Sequence, residues 1–323
     1  MKVRTRSQGR KYRSLVVGFL LGLFLSACGA AITNQAGSEV NDRPNVVATS
    51  TIITDWAAKV GNEQIQLTGI LQPGDDPHVY EPVPRDNIAF EKADLILYNG
   101  YNLEPALIRL MNAAGVNARK LAVGEVVPPL QLEEQGTTVP DPHVWGDVKN
   151  AIAMVNAIRD AFIELLPTER ETFTQNAAQY TAQLQQLDAW VREQIQTIPP
   201  ENRRLVTTHD AFQYYANAYG LEIFGTLIGI STEEQPSAQT VRQLSDAIRA
   251  ANVPTIFAET TINPALIQTV AAEAGVELAT RPLYSDSIGS PGSDADSYIN
   301  MIVANTRTIV EALGGNYTPF PQS

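Results

Sequence analysis

The chain has three histidines, and two of them stand in nearly the same frame: Asp76-Pro77-His78-Val79-Tyr80 and Asp141-Pro142-His143-Val144-Trp145. Proline fixes its own φ and restricts the residue before it, so Asp-Pro-His presents an imidazole from a stiffened backbone. Each frame follows a turn-rich stretch, Pro73-Gly74-Asp75 in the first case and residues 136–140 in the second. An aromatic side chain two places on, Tyr80 or Trp145, is placed to shield the ring. The third histidine, His209, follows the apolar run Arg204-Leu-Val-Thr-Thr208. It therefore falls at the carboxyl edge of a strand, where open α/β sheets place ligands. A single histidine is ordinarily a surface or satisfied core residue. Packing does not account for a whole histidine supply in such positions. Imidazole nitrogen combined with oxygen suits a borderline divalent transition metal.

Three imidazoles require one more donor to close a four-coordinate shell. Asp286, in Leu283-Tyr-Ser-Asp-Ser-Ile-Gly289, follows another strand candidate and is the leading fourth ligand, although a turn or cap aspartate reads the same locally. Glu259, at the end of Pro254-Thr-Ile-Phe-Ala258, is its rival. We read Glu259 instead as an acceptor that orients a histidine through the ring nitrogen not bound to metal. Asp76, Asp141, Asp147 and Asp210 read as turn and cap residues.

These side chains must be held by alternating strands and helices. Residues 45–50, 65–71, 94–98 and 121–123 read as strands, with an amphipathic stretch over 52–60. After residue 200 the same rhythm returns: strands over 204–208, 254–258 and 277–283, and helices over 210–219, 264–274 and 297–313. Such alternation predicts parallel, doubly wound α/β sheets. Residues 168–196 differ. Phe173, Ala177, Tyr180, Leu184, Leu187, Val191 and Ile195 recur at steps of three and four, without Gly or Pro. This predicts one helix of ~42 Å at ~1.5 Å per residue, opened by a capping box of Thr168 and Glu171 and stopped by Pro199-Pro200. Its length suits a strut between two domains, with coiled-coil pairing as the alternative.

The N-terminus addresses the chain. Lys2, Arg4, Arg6, Arg10, Lys11 and Arg13 precede an apolar run over 15–25, and Leu25-Ser26-Ala27-Cys28 follows. This is a secretory signal, its apolar run being too short to span a bilayer. Cys28 is the only cysteine, so no intrachain disulfide forms. Removing 1–27 leaves 17 basic against 35 acidic residues, which argues against a nucleic-acid partner. We divide the chain into a signal peptide (1–27), a tether (28–43), an N-terminal lobe (44–167), a linking helix (168–198) and a C-terminal lobe (199–323).

Several motifs together resemble the zinc/manganese substrate-binding lipoproteins of ABC importers. They are the Leu-Ser-Ala-Cys28 lipobox, the paired Asp-Pro-His frames, Val206-Thr-Thr-His-Asp-Ala-Phe212, Ile230-Ser-Thr-Glu-Glu-Gln-Pro236, Ile256-Phe-Ala-Glu-Thr260 and Tyr284-Ser-Asp-Ser287. The resemblance covers roughly residues 45–315. It implies two α/β domains joined by one long rigid helix, with the metal in the cleft between them. It implies His78 and His143 as ligands from the first domain, and His209 and Asp286 from the second. It also implies lipid on Cys28, extracytoplasmic location at a membrane, a permease and its ATPase as partners, and a monomer carrying one Zn2+ or Mn2+. Two departures bear on the metal. Zinc-dedicated members often carry a histidine-rich loop between the first two ligands, and residues 79–142 contain no histidine. Manganese-dedicated members usually have glutamate where His209 stands. A third imidazole favours zinc, whereas the missing loop and the Thr-Glu-Glu segment favour manganese.

Two other readings compete. Three histidines also hold catalytic zinc in hydrolases, with water at an open fourth position and Asp286 then a base. No His-Glu-x-x-His motif supports this. A surface adhesin or metal-storage lipoprotein is the other.

Overall fold

Asn45–Ala48 (β1), Gln66–Gly69 (β2), Leu95–Tyr98 (β3) and Arg119–Ala122 (β4) pair in parallel in the order β2-β1-β3-β4. This is seen in a computed structural model that describes residues 43–134 and 136–321. The basic leader, Cys28 and the tether up to residue 42 lie outside the described residues. Val46, Val47 and Ala48 of β1 and Leu95, Ile96 and Leu97 of β3 are buried, as central parallel strands covered on both faces must be. Thr51–Gly61 (α1) covers one face, its start capped by Ser50, which accepts from the Ile53 N–H. Pro84–Lys92 (α2) and Pro105–Ala114 (α3) cover the other, where Phe90, Leu107 and Met111 pack on Val47 and Ile96. Both helices begin with proline, whose missing N–H is no loss in the first turn.

Residues 136–140, expected as loop, instead form half of an antiparallel hairpin. Gln131–Glu134 (β5) pairs with Thr137–Pro140 (β6), and Gly136 takes the positive φ (78°) that so tight a turn demands. Val148–Leu165 (α4) follows, capped by Asp147, which accepts from the Lys149 N–H.

The long helix is present as Arg170–Gln196 (α5), with the expected stripe buried and Trp190 and Gln194 added to it. Its beginning differs from expectation. Pro167 sets a 3-10 turn over Pro167–Glu169, which takes in Thr168, so the Thr168–Glu171 box does not form. Thr172 Oγ1 donates to Glu169 there instead. Nor is α5 a bare strut. The Phe162 ring of α4 meets Phe173, Asn176 donates to the Val60 carbonyl, and Tyr180 donates to Asp55 of α1. At the other end Trp190 Nε1 and Gln194 Nε2 donate to Thr318.

The second half contains Arg204–Thr207 (β7), Gln213–Tyr219 (α6), Glu222–Thr226 (β8), Ala238–Ala251 (α7), Thr255–Ile256 (β9), Ala265–Ala274 (α8), Glu277–Leu278 (β10) and Tyr298–Ala312 (α9). β7 pairs with β8 and β9 with β10, all parallel, and the Phe257 N–H bonds the Val206 carbonyl to align the two pairs. The strand expected over 277–283 is broken. Only Glu277–Leu278 pairs at its start, and the chain rejoins as a parallel bridge of Leu283 to Glu259. Pro282, which has no N–H to give a ladder, stands in the gap.

One apolar core runs through both halves. It joins Val46 and Leu97 of the first sheet, α4, α5 and α9, and Leu205, Tyr215 and Leu283 of the second half. Separate clusters cover the outer faces. No helix among the described residues is long and apolar enough to cross a membrane.

Candidate metal centre

His209 and Asp286 sit just beyond strand ends, and His78 and His143 in longer connections. His78 lies in the loop after β2, and His143 lies beyond the hairpin that follows β4. His209 stands two residues after β7, and Asp286 follows the Leu283 bridge. The fold brings them together. One donor atom from each of His78, His143, His209 and Asp286 lies within 4.8 Å of all the others. His143 and His209 are fully buried, Asp286 is 1% exposed and His78 6%.

His78 Nε2 and His143 Nε2 are 3.2 Å apart. His143 Nε2 is 3.4 Å from Asp286 Oδ1, and His209 Nε2 is 3.2 Å from Asp286 Oδ2. Donor atoms around a tetrahedral ion with bonds of ~2.0–2.1 Å stand ~3.3 Å apart. His209 Nε2 and Asp286 Oδ1 are buried and make no hydrogen bond, a costly state for polar atoms unless something else satisfies them. The cluster is thus able to hold one divalent transition-metal ion.

Two carboxylates set the ring orientations. His143 Nδ1 is 2.8 Å from Asp141 Oδ1, which also accepts the His143 backbone N–H at 3.0 Å. His209 Nδ1 is 2.5 Å from Glu259 Oε2, and the His209 N–H donates to Glu259 Oε1 at 2.8 Å. A carboxylate accepts, so in both rings Nδ1 carries a hydrogen and Nε2 is the nitrogen turned to the centre, a ligand once it carries no proton. The Glu259–Leu283 bridge sets this acceptor beside the strand end that leads to Asp286.

Burial pushes the His78 ring down to about 3, so it is neutral and able to ligate. At His209 burial also opposes charge, but Glu259 and then Asp286 outweigh it and raise the ring well above its ordinary range. Burial would raise Asp286, yet His209 first, then His143 and His78, hold it below the usual carboxylate range.

The turn-and-cap reading holds for Asp147, and Asp210 accepts from Gln213 nearby. Asp141 does more than cap a turn, because it holds the His143 ring. Asp76 accepts the His78 N–H at 2.9 Å but turns its other oxygen to Thr232 Oγ1 at 2.6 Å. Of the two aromatic shields, Trp145 lies edge-on to His143, with centroids 5.4 Å apart. Tyr80 instead donates its hydroxyl to Asp86. Asn99, which carries no site signal in the sequence, also serves the centre. Its Nδ2 donates to the Pro142 carbonyl, fixing the approach to His143, and its own N–H is held by buried Glu104. Burial pushes Glu104 up to about 7. Ser287, next to Asp286, bonds Thr51 Oγ1 and the Gly74 N–H, which ties the aspartate's loop to the first half of the chain.

Residues 46–312 match the family described as Zinc-uptake complex component A, periplasmic. The manganese-binding lipoprotein MntA of Halalkalibacterium halodurans is 34% identical over 295 residues, covering 91% of this chain and 96% of that protein. The zinc-binding protein TroA of Treponema pallidum is 36% identical over 303 residues, covering 93% and 96%. A solved structure of that periplasmic zinc-binding protein superposes with a TM-score of 0.80 over 84% of this chain and 99% of its own.

Proposed function

The chain belongs to the zinc-uptake component A family of periplasmic binding proteins, and from that premise we propose that it captures one Zn2+ or Mn2+ ion outside the cytoplasm and delivers it to an ABC importer. The ligands are His78, His143, His209 and Asp286. The observation that carries this reading is the convergence of three Nε2 atoms on one carboxylate, with two of the three tautomers fixed by Asp141 and Glu259. Glu259 acts by orienting His209 and is not itself a ligand. The family consists of solute-binding components, not hydrolases, and a buried Asp286 stands where a hydrolase would keep an open, water-filled position.

Three imidazoles and one carboxylate favour zinc on ligand chemistry, since manganese lies at the weak end of the divalent affinity order. The curated relatives are divided, MntA by name a manganese binder and TroA a zinc binder. Residues 1–27 act as a signal peptide, and lipid on Cys28 holds the mature chain at a membrane. Anchoring raises the effective concentration of carrier at its permease. The chain acts as a monomer, with lobes over 44–167 and 199–323 joined by 168–198.

Calorimetric titration with zinc and with manganese tests the site. Wild type takes up one ion per chain, and His209→Ala weakens binding by more than ~100-fold, beyond the loss expected from an orienting residue. Unchanged stoichiometry and affinity in His209→Ala would sink the four-ligand site. Native mass spectrometry of protein from its own host reads which metal it carries.

A further inference from the structure

The two Asp-Pro-His frames are alike in sequence but differ in what their aspartates hold. In both, Oδ1 accepts the N–H of the histidine two residues on, at 2.9 Å for His78 and 3.0 Å for His143. Asp141 also braces the His143 ring, and its Oδ2 is buried without a partner. Asp76 has no such contact with the His78 ring, and among the described residues no carboxylate pairs with that ring. Its Oδ2 instead accepts from Thr232 Oγ1 at 2.6 Å, across 156 residues of sequence.

Thr232 lies midway along the loop joining β8 to α7. That loop is a partition. Ile230, Ser231 and Glu233 line an open cleft of about 750 Å³ that also exposes His78, the only one of the four metal-site residues on its wall. Thr232 and Gln235 line a second cavity, of about 410 Å³, whose wall includes Asp76. The Asp76–Thr232 bond therefore pins a loop whose residues line both cavities and ties it to the loop that carries His78.

We propose that Asp76 is a positioning residue: through Thr232 it fastens the partition loop to the His78 loop, and this bond governs how fast the bound ion leaves. The inference rests on the metal-capture reading above. A hydrogen bond to a charged acceptor is stronger than a neutral one, and here it joins two half-buried, loop-borne groups. Its loss should free the partition without disturbing the buried core.

The full chain is loaded with zinc and mixed with excess chelator, and metal loss is followed in time. Thr232→Val removes the donor at nearly constant volume, and Thr232→Ser keeps it. Thr232→Val is expected to release zinc about tenfold faster, equivalent to ~1.4 kcal/mol, with the melting temperature of the metal-free protein unchanged. Thr232→Ser should release at the wild-type rate. Thr232→Ala gives the same comparison if the valine variant does not fold. A wild-type release rate in Thr232→Val, or equal acceleration in the valine and serine variants, overturns the proposal. Wild type that binds no zinc and no manganese overturns the metal reading itself, and this inference with it.

Discussion

At His209 a fully buried imidazole lies between two carboxylates, Glu259 2.5 Å from Nδ1 and Asp286 3.2 Å from Nε2. Burial opposes a charge there, but the two carboxylates raise the ring well above its ordinary range, so the metal-free protein holds a proton on His209 more tightly than a free imidazole does. A metal ion can bind Nε2 only after displacing that proton. His78, pushed down to about 3, contributes no such competition near neutrality. The sign follows: affinity rises with pH as long as the pH lies below the raised His209 range, that ring releasing one proton per ion. Calorimetry across pH, repeated in two buffers of different ionisation enthalpy, measures both quantities. An affinity flat with pH would show that His209 is already neutral. The sequence made the histidines legible through their rigid frames and strand-end positions, but not the groups that hold them. A local Asx turn and a ring brace look identical in Asp-Pro-His, so the local sequence does not distinguish Asp141 from a turn residue. Asn99 acts on Pro142 across 43 residues and Thr232 on Asp76 across 156, which no local pattern reports.

Among the elements, α5 was the most legible because one narrow apolar stripe faces the core while the rest faces water. Its neighbour α4 has the same kind of period: Val148, Ala151, Met154, Val155, Ile158, Ala161 and Phe162 are buried at helical spacing, with Lys149, Asn150, Asn156, Arg159, Asp160 and Glu164 on the other positions. The strands of the first sheet were legible as apolar runs. In the second half the strand expected over 277–283 is broken at Pro282, which removes a donor that a continuing ladder needs. The packing of α5 has a measurable consequence. Leu184 is fully buried at mid-helix within the core that both halves share. Leu184→Ala should cost ~2–5 kcal/mol, read as a lower denaturant midpoint. Because the core is continuous, the loss should appear in a single cooperative transition. Two separated transitions, with only one shifted, would mean that the halves fold independently.

For the molecule as a whole, the question is how an ion enters and leaves a site whose walls are tied together. Tyr298 donates its N–H to Asp55 and its hydroxyl to the Trp145 carbonyl. Trp145 Nε1 reaches the Ser285 carbonyl, and Tyr214 donates to the Asp141 carbonyl. These bonds, with α5 packed along both halves, stiffen the body against wide opening. They place the adjustable part of the site in loops: the His78 loop, the partition bearing Thr232 and the turn bearing Asp286. Exchange by loop movement, with the body fixed, requires the metal-free and loaded forms to have nearly the same overall dimensions. A compact body the length of residues 43–323 has a radius of gyration of about 19 Å, and small-angle scattering on the two forms should give values within ~1 Å of each other. Chelator-stripped protein that expands well beyond that on losing its ion would relocate the motion from the loops to the body, and α5 would then have to bend or shift against α4 to permit it.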